Sequence, residues 1–263
     1  MKKYWKIFSL ALENGFVYRA SVLLWRLRLL LSTVLALSVW LVLFQSAQGL
    51  FGYSHDQMVT YIFLISFLQS VVMATSLNGL ASEIYSGSFS FDLLKPLNIY
   101  LHLFIKDIAD KVKNVFFVLI ETVILVLAFH PKVLLPSLSI FLLFLVWVVG
   151  AVFLLFFIQL IFGSFGFHTP ETWAPRFVFF VLVDLAGGKL FPLDILPKSA
   201  QTFLQFTPFP YFSFWQIQLF LGKLSPHAIV QHSITLGIWL LATAALSANL
   251  WKRGIKEYDA TGQ

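Results

Sequence analysis

The sequence predicts an all-α integral membrane protein with six transmembrane helices, organised as a single domain over residues 1–263. Hydrophobic residues make up 59% of the chain and charged residues 11%, whereas soluble domains are about half apolar and about a quarter charged. The mean hydropathy is +0.85. A soluble protein of this size could not bury so much apolar surface. The composition therefore excludes an ordinary soluble enzyme, a disordered regulator and a disulfide scaffold.

Six segments are apolar and long enough to be read as spans, since crossing the hydrocarbon core takes about 20 residues of helix. They are residues 27–44, 58–80, 115–129, 139–162, 173–191 and 229–250. The fourth is the clearest, because residues 141–157 carry no charge. The third is short and contains Glu121, and the fifth contains Asp184, so two carboxylates are expected at membrane depth.

Basic residues orient these segments, because cytoplasmic loops are enriched in Lys and Arg. With both termini in the cytoplasm, 14 of the 18 Lys and Arg residues fall on the inner side. The outer loops then hold Lys132, Lys189, Lys198 and Lys223. Aromatic and basic residues are not interleaved on one polar face, so no nucleic-acid partner is expected. The basic excess is a sign of membrane topology.

Residues 2–19 are predicted to form an amphipathic helix. Trp5, Phe8, Leu12 and Phe16 recur at three- and four-residue spacing, which gathers them on one face. Such a helix suits the membrane interface. The alternative is a cytoplasmic extension of the first span that packs on protein.

The longest inner loop, residues 81–114, contains a predicted short helix. Gly87 ends the helix that leaves the second span, and Pro96 disfavours helix at and just before its own position. Ser88 or Ser90 is available as the cap. The apolar side chains that could dock in a groove on a partner are Phe89, Phe91, Leu93 and Leu94. A second amphipathic helix is expected to follow. Its apolar stripe comprises Leu97, Leu101, Phe104, Ile108 and Val112.

The outer loop between the fifth and sixth spans is rich in proline and yet apolar. A free extracellular loop would be more polar. We therefore expect two short helices, over residues 197–206 and 210–221, that dip into the bilayer and return. Backbone breaks at membrane depth are tolerated where they are buried in protein or line a cavity, so a cavity is implied here.

No catalytic constellation stands out. The sequence has no HExxH and no GxSxG motif, and residues 187–189 lack the upstream glycine and the following hydroxyl of a phosphate-binding loop. The six histidines are scattered over different loops and both faces, so no metal site is expected. Cysteine is absent, which removes thiol chemistry.

Glu121 and Asp184 are the intramembrane polar residues that need a role. Charges at this depth are costly and usually face a polar cavity or pair with another group. Both could line the route of a polar or cationic substrate. Alternatively, Glu121 snorkels to the cytoplasmic edge or pairs with Lys113, and Asp184 forms a hydrogen bond between helices.

Four stretches together carry a family resemblance. They are the basic start running into residues 25–28, the segment 87–97, the proline-containing stretches 191–197 and 207–211, and the tail 251–262. Their order and spacing resemble the permease subunits of type 2 ABC exporters, in the branch described as daunorubicin-resistance-like or uncharacterised ABC-type permeases. The resemblance covers essentially the whole chain.

The resemblance implies an N-terminal elbow helix (residues 1–22), a cytoplasmic coupling helix (86–98) and an extracellular re-entrant helical hairpin (191–227) before the last span. It implies that two permeases, identical or paralogous, pair in the bilayer. Each would bind a separate ABC ATPase subunit that holds ATP and Mg, so this chain itself is expected to bind no cofactor. The residues expected to contact the ATPase are Gly87, Ser88, Phe89, Phe91, Asp92, Leu94 and Pro96. The residues expected to form the outer gate are Pro192, Pro197, Phe206, Pro208, Pro210 and Tyr211.

The sequence thus predicts the membrane-spanning, non-enzymatic subunit of an ATP-driven exporter in the plasma membrane of a prokaryote. A wall rich in Phe and Leu suits an amphiphilic cargo such as a lipid, a lipid-linked polymer or a hydrophobic drug. The alternative is an ATP-independent secondary transporter or channel, which predicts charge relays or an inverted repeat. An intramembrane enzyme would need His, Asp or Ser clustered at one depth. Neither pattern is evident.

Overall fold

The computed structural model describes residues 2–17, 19–45, 49–169 and 171–258, and in these residues the protein is helical and has no β-strand. The α-helices are α1 (Lys2–Asn14), α2 (Arg19–Gln45), α3 (His55–Val71), α4 (Leu80–Tyr85), α5 (Ser90–Leu93), α6 (Ile99–Phe129), α7 (Leu138–Ser164), α8 (Trp173–Ala186), α9 (Lys198–Leu204), α10 (Phe214–Phe220) and α11 (Pro226–Glu257). Short 3-10 helices occupy Leu77–Gly79, Phe165–Phe167, Leu193–Ile195 and Phe209–Phe212. Residues 259–262 of the tail lie outside the described residues.

Within the described residues, four helices are long and apolar enough to cross a membrane. They are Arg19–Phe44, Ile99–Phe129, Leu138–Phe167 and Pro226–Glu257. These helices contain the predicted first, third, fourth and sixth segments. The other two predicted segments form shorter helices, because α3 has 17 residues and α8 has 14.

The predicted second segment breaks after α3. Lys111 on α6 donates a hydrogen bond to the carbonyl of Val72 at 3.0 Å. Asp107, one turn earlier, accepts one from the hydroxyl of Thr75 at 2.7 Å. Such bonds satisfy the polar groups that a helix end leaves free. The chain can therefore turn away from α3 and continue into the 3-10 helix Leu77–Gly79.

The first half of α6 buries its polar face and exposes part of its apolar stripe, whereas a helix of a soluble protein buries its apolar stripe. The helix is continuous, so the predicted amphipathic helix and third span are one element. Leu101 and Val112 of the stripe are exposed, whereas His102, Asp107 and Lys111 are buried. When the surroundings are lipid, an apolar face belongs outside and the polar groups pair within the protein.

α7 lies at the centre of the bundle and packs against α11, α10 and α4. Glycines permit the contact with α4. A Cβ on Gly163 would lie 2.6 Å from Leu80 Cδ2, and a Cβ on Gly166 would lie 2.3 Å from the carbonyl oxygen of Ala81. α4 therefore lies directly against the end of α7.

The bundle has two distinct ends. We call one the basic end; it comprises α1, α4, α5, the starts of α2, α6 and α8 and the end of α11. Its core is a separate apolar cluster around Trp251. We call the other the hairpin end; it comprises residues 49–54, the end of α6 and residues 191–225.

At the basic end, α1 is an amphipathic helix that ends at Asn14 and not at residue 19 as predicted, and it packs along α6. Phe16 after α1 meets Phe117 with ring centroids 6.0 Å apart. Trp5 points outward and is exposed. The helix thus has one side on protein and leaves a tryptophan free for another environment.

Candidate functional site

The predicted coupling segment, residues 86–98, lies at the basic end and contains one short helix, α5, as expected. Gly87 adopts a φ of +78°, in the region that favours glycine. The Ser88 hydroxyl donates to the carbonyl of Glu83 at 3.1 Å, and the Ser90 hydroxyl donates to that of Gly87 at 2.7 Å. Both serines therefore close the turn, and neither caps α5 with its side chain, which corrects the prediction.

The predicted contact residues of this segment divide into exposed and buried groups. Phe91 is 71% exposed and Leu94 is 81% exposed. Both are large apolar side chains; Phe91 lies within α5 and Leu94 directly follows it. Phe89, in contrast, is only 1% exposed. Ser88 and Pro96 are also exposed, and Gly87 is buried.

Phe89 anchors the segment inside the protein. Its ring packs edge-on against Trp251 at a centroid distance of 5.6 Å and lies 6.4 Å from Tyr258. Trp251 is itself buried and donates its indole N–H to the carbonyl of Leu160 at 2.8 Å. A Cβ on Gly254 would lie 2.1 Å from the Phe167 ring, so the end of α11 fits tightly against the end of α7. The coupling segment is thereby tied to both helices.

Asp92 holds α5 to the start of α6. Its carboxylate lies 2.5 Å from Lys95 Nζ, 3.3 Å from His102 Nε2 and 3.5 Å from Lys106 Nζ. The interaction with the His102 imidazole, followed by those with the two lysines, holds the pKa of Asp92 well below its usual range despite partial burial. The carboxylate is therefore charged at neutral pH and stabilises the segment electrostatically.

Glu121 forms a buried ion pair with Arg26 and not with Lys113. Arg26 Nε lies 2.7 Å from Oε1 and Nη2 lies 2.6 Å from Oε2. Asn114 accepts a further bond from Nη1 at 3.3 Å. Lys113 pairs instead with Asp110 at 2.5 Å. The pairing that sequence proximity favoured is therefore wrong, and Glu121 joins α6 to α2.

Asp184 lies near the end of α8 and pairs with Lys189 at 2.7 Å. Its side chain is more than one third exposed. Its partner follows five residues later in the chain, and among the described residues no hydrogen bond joins Asp184 to another helix, which corrects the alternative interpretation.

The hairpin end contains the two predicted short helices. The first is α9, and the second consists of Phe209–Phe212 and α10. Among the predicted gate residues, Pro192, Pro210 and Tyr211 are buried, Pro208 is half-buried, and Pro197 and Phe206 are exposed. The Tyr211 hydroxyl lies 3.0 Å from His232 Nδ1 on α11 and 3.2 Å from the carbonyl of Gln205. Tyr211 therefore joins the hairpin to the last helix.

A second polar cluster fastens the hairpin to the loop before α3. The Tyr53 hydroxyl donates to Asp194 Oδ2 at 2.5 Å, and Gln218 Nε2 lies 2.7 Å from the same oxygen. Burial, together with the neighbouring Asp194 carboxylate, raises the pKa of Tyr53, so the phenol keeps its proton and donates. Lys223 Nζ lies 3.1 Å from the centre of the Tyr53 ring, an arrangement that favours a cation.

Sequence reasoning missed these tertiary pairs. The i, i+4 spacing of Asp107 and Lys111 is visible in the sequence, but it does not show that both side chains are buried. Within the described ranges, no group of three or more metal-ligating side chains comes together. The described residues thus offer an anchored helix with two exposed apolar side chains at one end and an apolar hairpin held by hydrogen bonds at the other.

Comparison with known proteins agrees with this architecture. The family model described as "ABC-2 family transporter protein" matches residues 30–262. A search of curated proteins finds no matching relative. The matched range contains the coupling segment, the hairpin and most of the long apolar helices. The chain therefore belongs to the ABC-2 family of transporter proteins, as a membrane component that is not itself catalytic, with ATP hydrolysis lying in a separate subunit.

Proposed function

We propose that this protein is the permease of an ATP-driven exporter, and that it binds its ATPase subunit through the exposed face of α5. The observation that carries the proposal is the contrast within one short segment. Phe91 and Leu94 are exposed, whereas Phe89, which comes before them in the chain, is buried. An exposed apolar pair on a firmly anchored helix suits insertion into a groove of a partner.

The anchoring of α5 supports a mechanical role. Force applied at Phe91 and Leu94 would pass through Phe89 to Trp251 on α11 and through Asp92 to α6. Both are long helices that run toward the hairpin end. Movement of the ATPase subunits would then change the packing of the hairpin. The proposed outer gate within it comprises Pro192, Pro197, Phe206, Pro208, Pro210 and Tyr211.

The proposed topology has six spans, with α3 and α8 as the two short ones. Helices of 17 and 14 residues extend roughly 26 Å and 21 Å at 1.5 Å per residue. α8 ends at Ala186 and is followed by a turn at Gly187 and Gly188, and α3 begins after a hydrogen-bonded turn at Leu50 and Tyr53. These flanking residues supply the missing length. With both termini cytoplasmic, the basic end lies inside and the hairpin end outside.

The proposed assembly contains two permeases, identical or paralogous, in the plasma membrane of a prokaryote. The exposure of α2 supports a second permease, because only 11% of the residues in its most apolar stretch are buried within one chain. Leu23, Leu31, Leu35 and Val42 are among its exposed side chains. The proposed cargo is amphiphilic, since a translocation path lined by Phe and Leu would accept acyl or aromatic groups. A place in the daunorubicin-resistance-like branch is part of the same proposal. ATP and Mg would reside on the ATPase subunit.

The test is purification of the tagged chain from its native membrane, with identification of any ABC ATPase by its sequence and ATPase activity. Phe91→Ala with Leu94→Ala should abolish ATPase capture. Phe116→Ala with Leu119→Ala removes a matched exposed pair from α6 and should leave capture unchanged. If the unmodified chain purifies alone and transports in proteoliposomes without ATP, the secondary-transporter or channel alternative is correct.

A further inference from the structure

A cleft of about 480 Å³ opens at the basic end, between the start of α8 and the segment that links α3 to α4. One wall is a single face of α8, because its residues recur at three- and four-residue spacing. That wall comprises Trp173, Arg176, Phe177 and Phe180, and Asn78 and Ser82 lie on the opposite side. Glu171 and Thr172 line the cleft before α8, and the Glu171 side chain is exposed. The coupling segment does not line this cleft.

Arg176 gives the cleft an unusual charge. The side chain is buried, at 7% exposure. Its Nη2 donates to the carbonyl of Leu77 at 3.0 Å, but its Nε has no hydrogen-bond acceptor among the described residues. The ion pairs formed by those residues do not include Arg176, whereas the other buried arginine, Arg26, is paired with Glu121. A buried cation without a counter-ion is costly, so this position favours an anion.

The aromatic wall indicates what kind of anion fits. Trp173 and Phe177 stack with ring centroids 5.1 Å apart and an interplanar angle of 12°. Both are exposed, so they extend the cleft as an apolar surface toward the lipid. A small soluble anion would leave this surface uncovered. The start of α8 also contributes the positive end of a helix dipole to the same place.

We propose that this cleft binds the acidic head group of a membrane amphiphile, with its phosphate or carboxylate on Arg176 and its acyl chain along Trp173 and Phe177. The Asn78 amide and the Ser82 hydroxyl are further donors on the facing side. This inference deepens the proposed amphiphilic cargo, and it rests on the membrane placement of the chain but not on ATP coupling.

The test measures lipid binding by native mass spectrometry of the full-length chain in a neutral detergent. Dioleoyl phosphatidylglycerol and dioleoyl phosphatidylcholine are the two probes. We expect the acidic lipid to be retained and the zwitterionic one to be lost. Arg176→Gln should weaken phosphatidylglycerol binding about tenfold, since a charge-assisted contact is lost. Arg28→Gln removes an exposed arginine from the same end and should leave binding unchanged.

Two further variants separate binding from folding. Arg176→Lys keeps the charge but loses the planar donor fork, so a folded Lys variant should bind with an intermediate affinity. Glu171→Gln removes an exposed carboxylate that lines the cleft and should tighten binding several-fold. If Glu171→Gln loses phosphatidylglycerol binding together with Arg176→Gln, the proposal is overturned.

Competition with inorganic phosphate distinguishes the lipid from a soluble anion. Millimolar phosphate should fail to displace phosphatidylglycerol. Displacement at that concentration, or equal retention of phosphatidylcholine, would overturn the proposal. Because no ATPase or nucleotide is present, these results are independent of whether the chain captures an ATPase subunit through α5.

Discussion

Arg26 on α2 and Glu121 on α6 lie 95 positions apart in the chain and meet as a doubly hydrogen-bonded ion pair in the interior. The side chains of Ser70 and Asn114 each accept a further bond from Arg26 Nη1 at 3.3 Å. Two parallel bonds fix both the distance and the orientation of the helices. The pair therefore sets the position of α2 against the rest of the bundle.

Arg26→Gln should destabilise the protein by about 3 kcal/mol or more, because it leaves the Glu121 charge buried without its partner. The double variant Arg26→Met with Glu121→Met should recover much of this loss, since both charges are gone. Thermal unfolding in a fixed detergent provides the measurement. Arg28→Gln is the matched control, as Arg28 is exposed. If Arg26→Gln and Arg28→Gln unfold at the same temperature, the ion pair does not stabilise the packing of α2.

Asp92 should make the stability of the protein depend on pH in the acid range. Its pKa is depressed in the folded state relative to the ordinary value of 3.8, so its contribution is fully present above about pH 4. The contribution declines below that pH and is lost once the folded state also takes up the proton. Asp92→Asn lacks it throughout.

The unfolding temperatures of wild type and Asp92→Asn, compared from pH 7 to pH 3, measure this contribution. The wild type should be the more stable at neutral pH, and the difference should begin to narrow below about pH 4. A difference that widens as the pH falls would have the wrong sign for a depressed carboxyl pKa.

Gly166→Ala should destabilise the contact between α4 and α7 by about 1–3 kcal/mol, because an added Cβ meets backbone atoms that cannot move aside cheaply. The nearest is the Ala81 carbonyl oxygen at 2.3 Å. Gly237→Ala on α11 is the matched control. No atom lies within 4 Å of its added Cβ, so it should be neutral or stabilising by up to about 1 kcal/mol. Unfolding temperatures of the two variants test this, and equal effects would contradict the close approach.

Single cysteines should report the proposed topology directly, since the chain contains no cysteine of its own. Leu94→Cys at the basic end should react with a membrane-impermeant maleimide only in inside-out vesicles. Lys132→Cys and Phe203→Cys should react in intact cells, as both lie toward the hairpin end. Labelling of Leu94→Cys from the outside would reverse the orientation. Labelling of Lys132→Cys and Phe203→Cys from opposite sides would show that six spans is the wrong number.

The sequence was sufficient to predict the features that depend on local composition. The apolar runs predict most of each of the four long helices, although the run within α6 contains Glu121. The turn at Gly87 and the helix α5 after it follow from glycine and proline chemistry. The two short helices of the hairpin follow from prolines spaced along an apolar loop. In each case the residues that determine the structure lie within a few turns of one another.

Features that depend on tertiary contact could not be predicted in this way. The early end of α3 depends on Lys111 and Asp107, which belong to a different helix. Phe89 resembled Phe91 and Leu94 in sequence, yet its burial depends on Trp251 near the end of the chain. The apolar stripe of α6 shows that the helix has two faces, but it does not show that the polar one packs inside the protein.

The contact between Phe89 and the pair Trp251 and Tyr258 has a consequence for biosynthesis. Residues on a nascent chain become available from the N-terminus onward, so α5 emerges well before α11 does. Until α11 is inserted, Phe89 has no indole to pack against and the apolar cluster at the basic end is incomplete. If α5 binds the ATPase subunit as proposed, its docking surface would therefore reach its final packing only after the last helix is inserted.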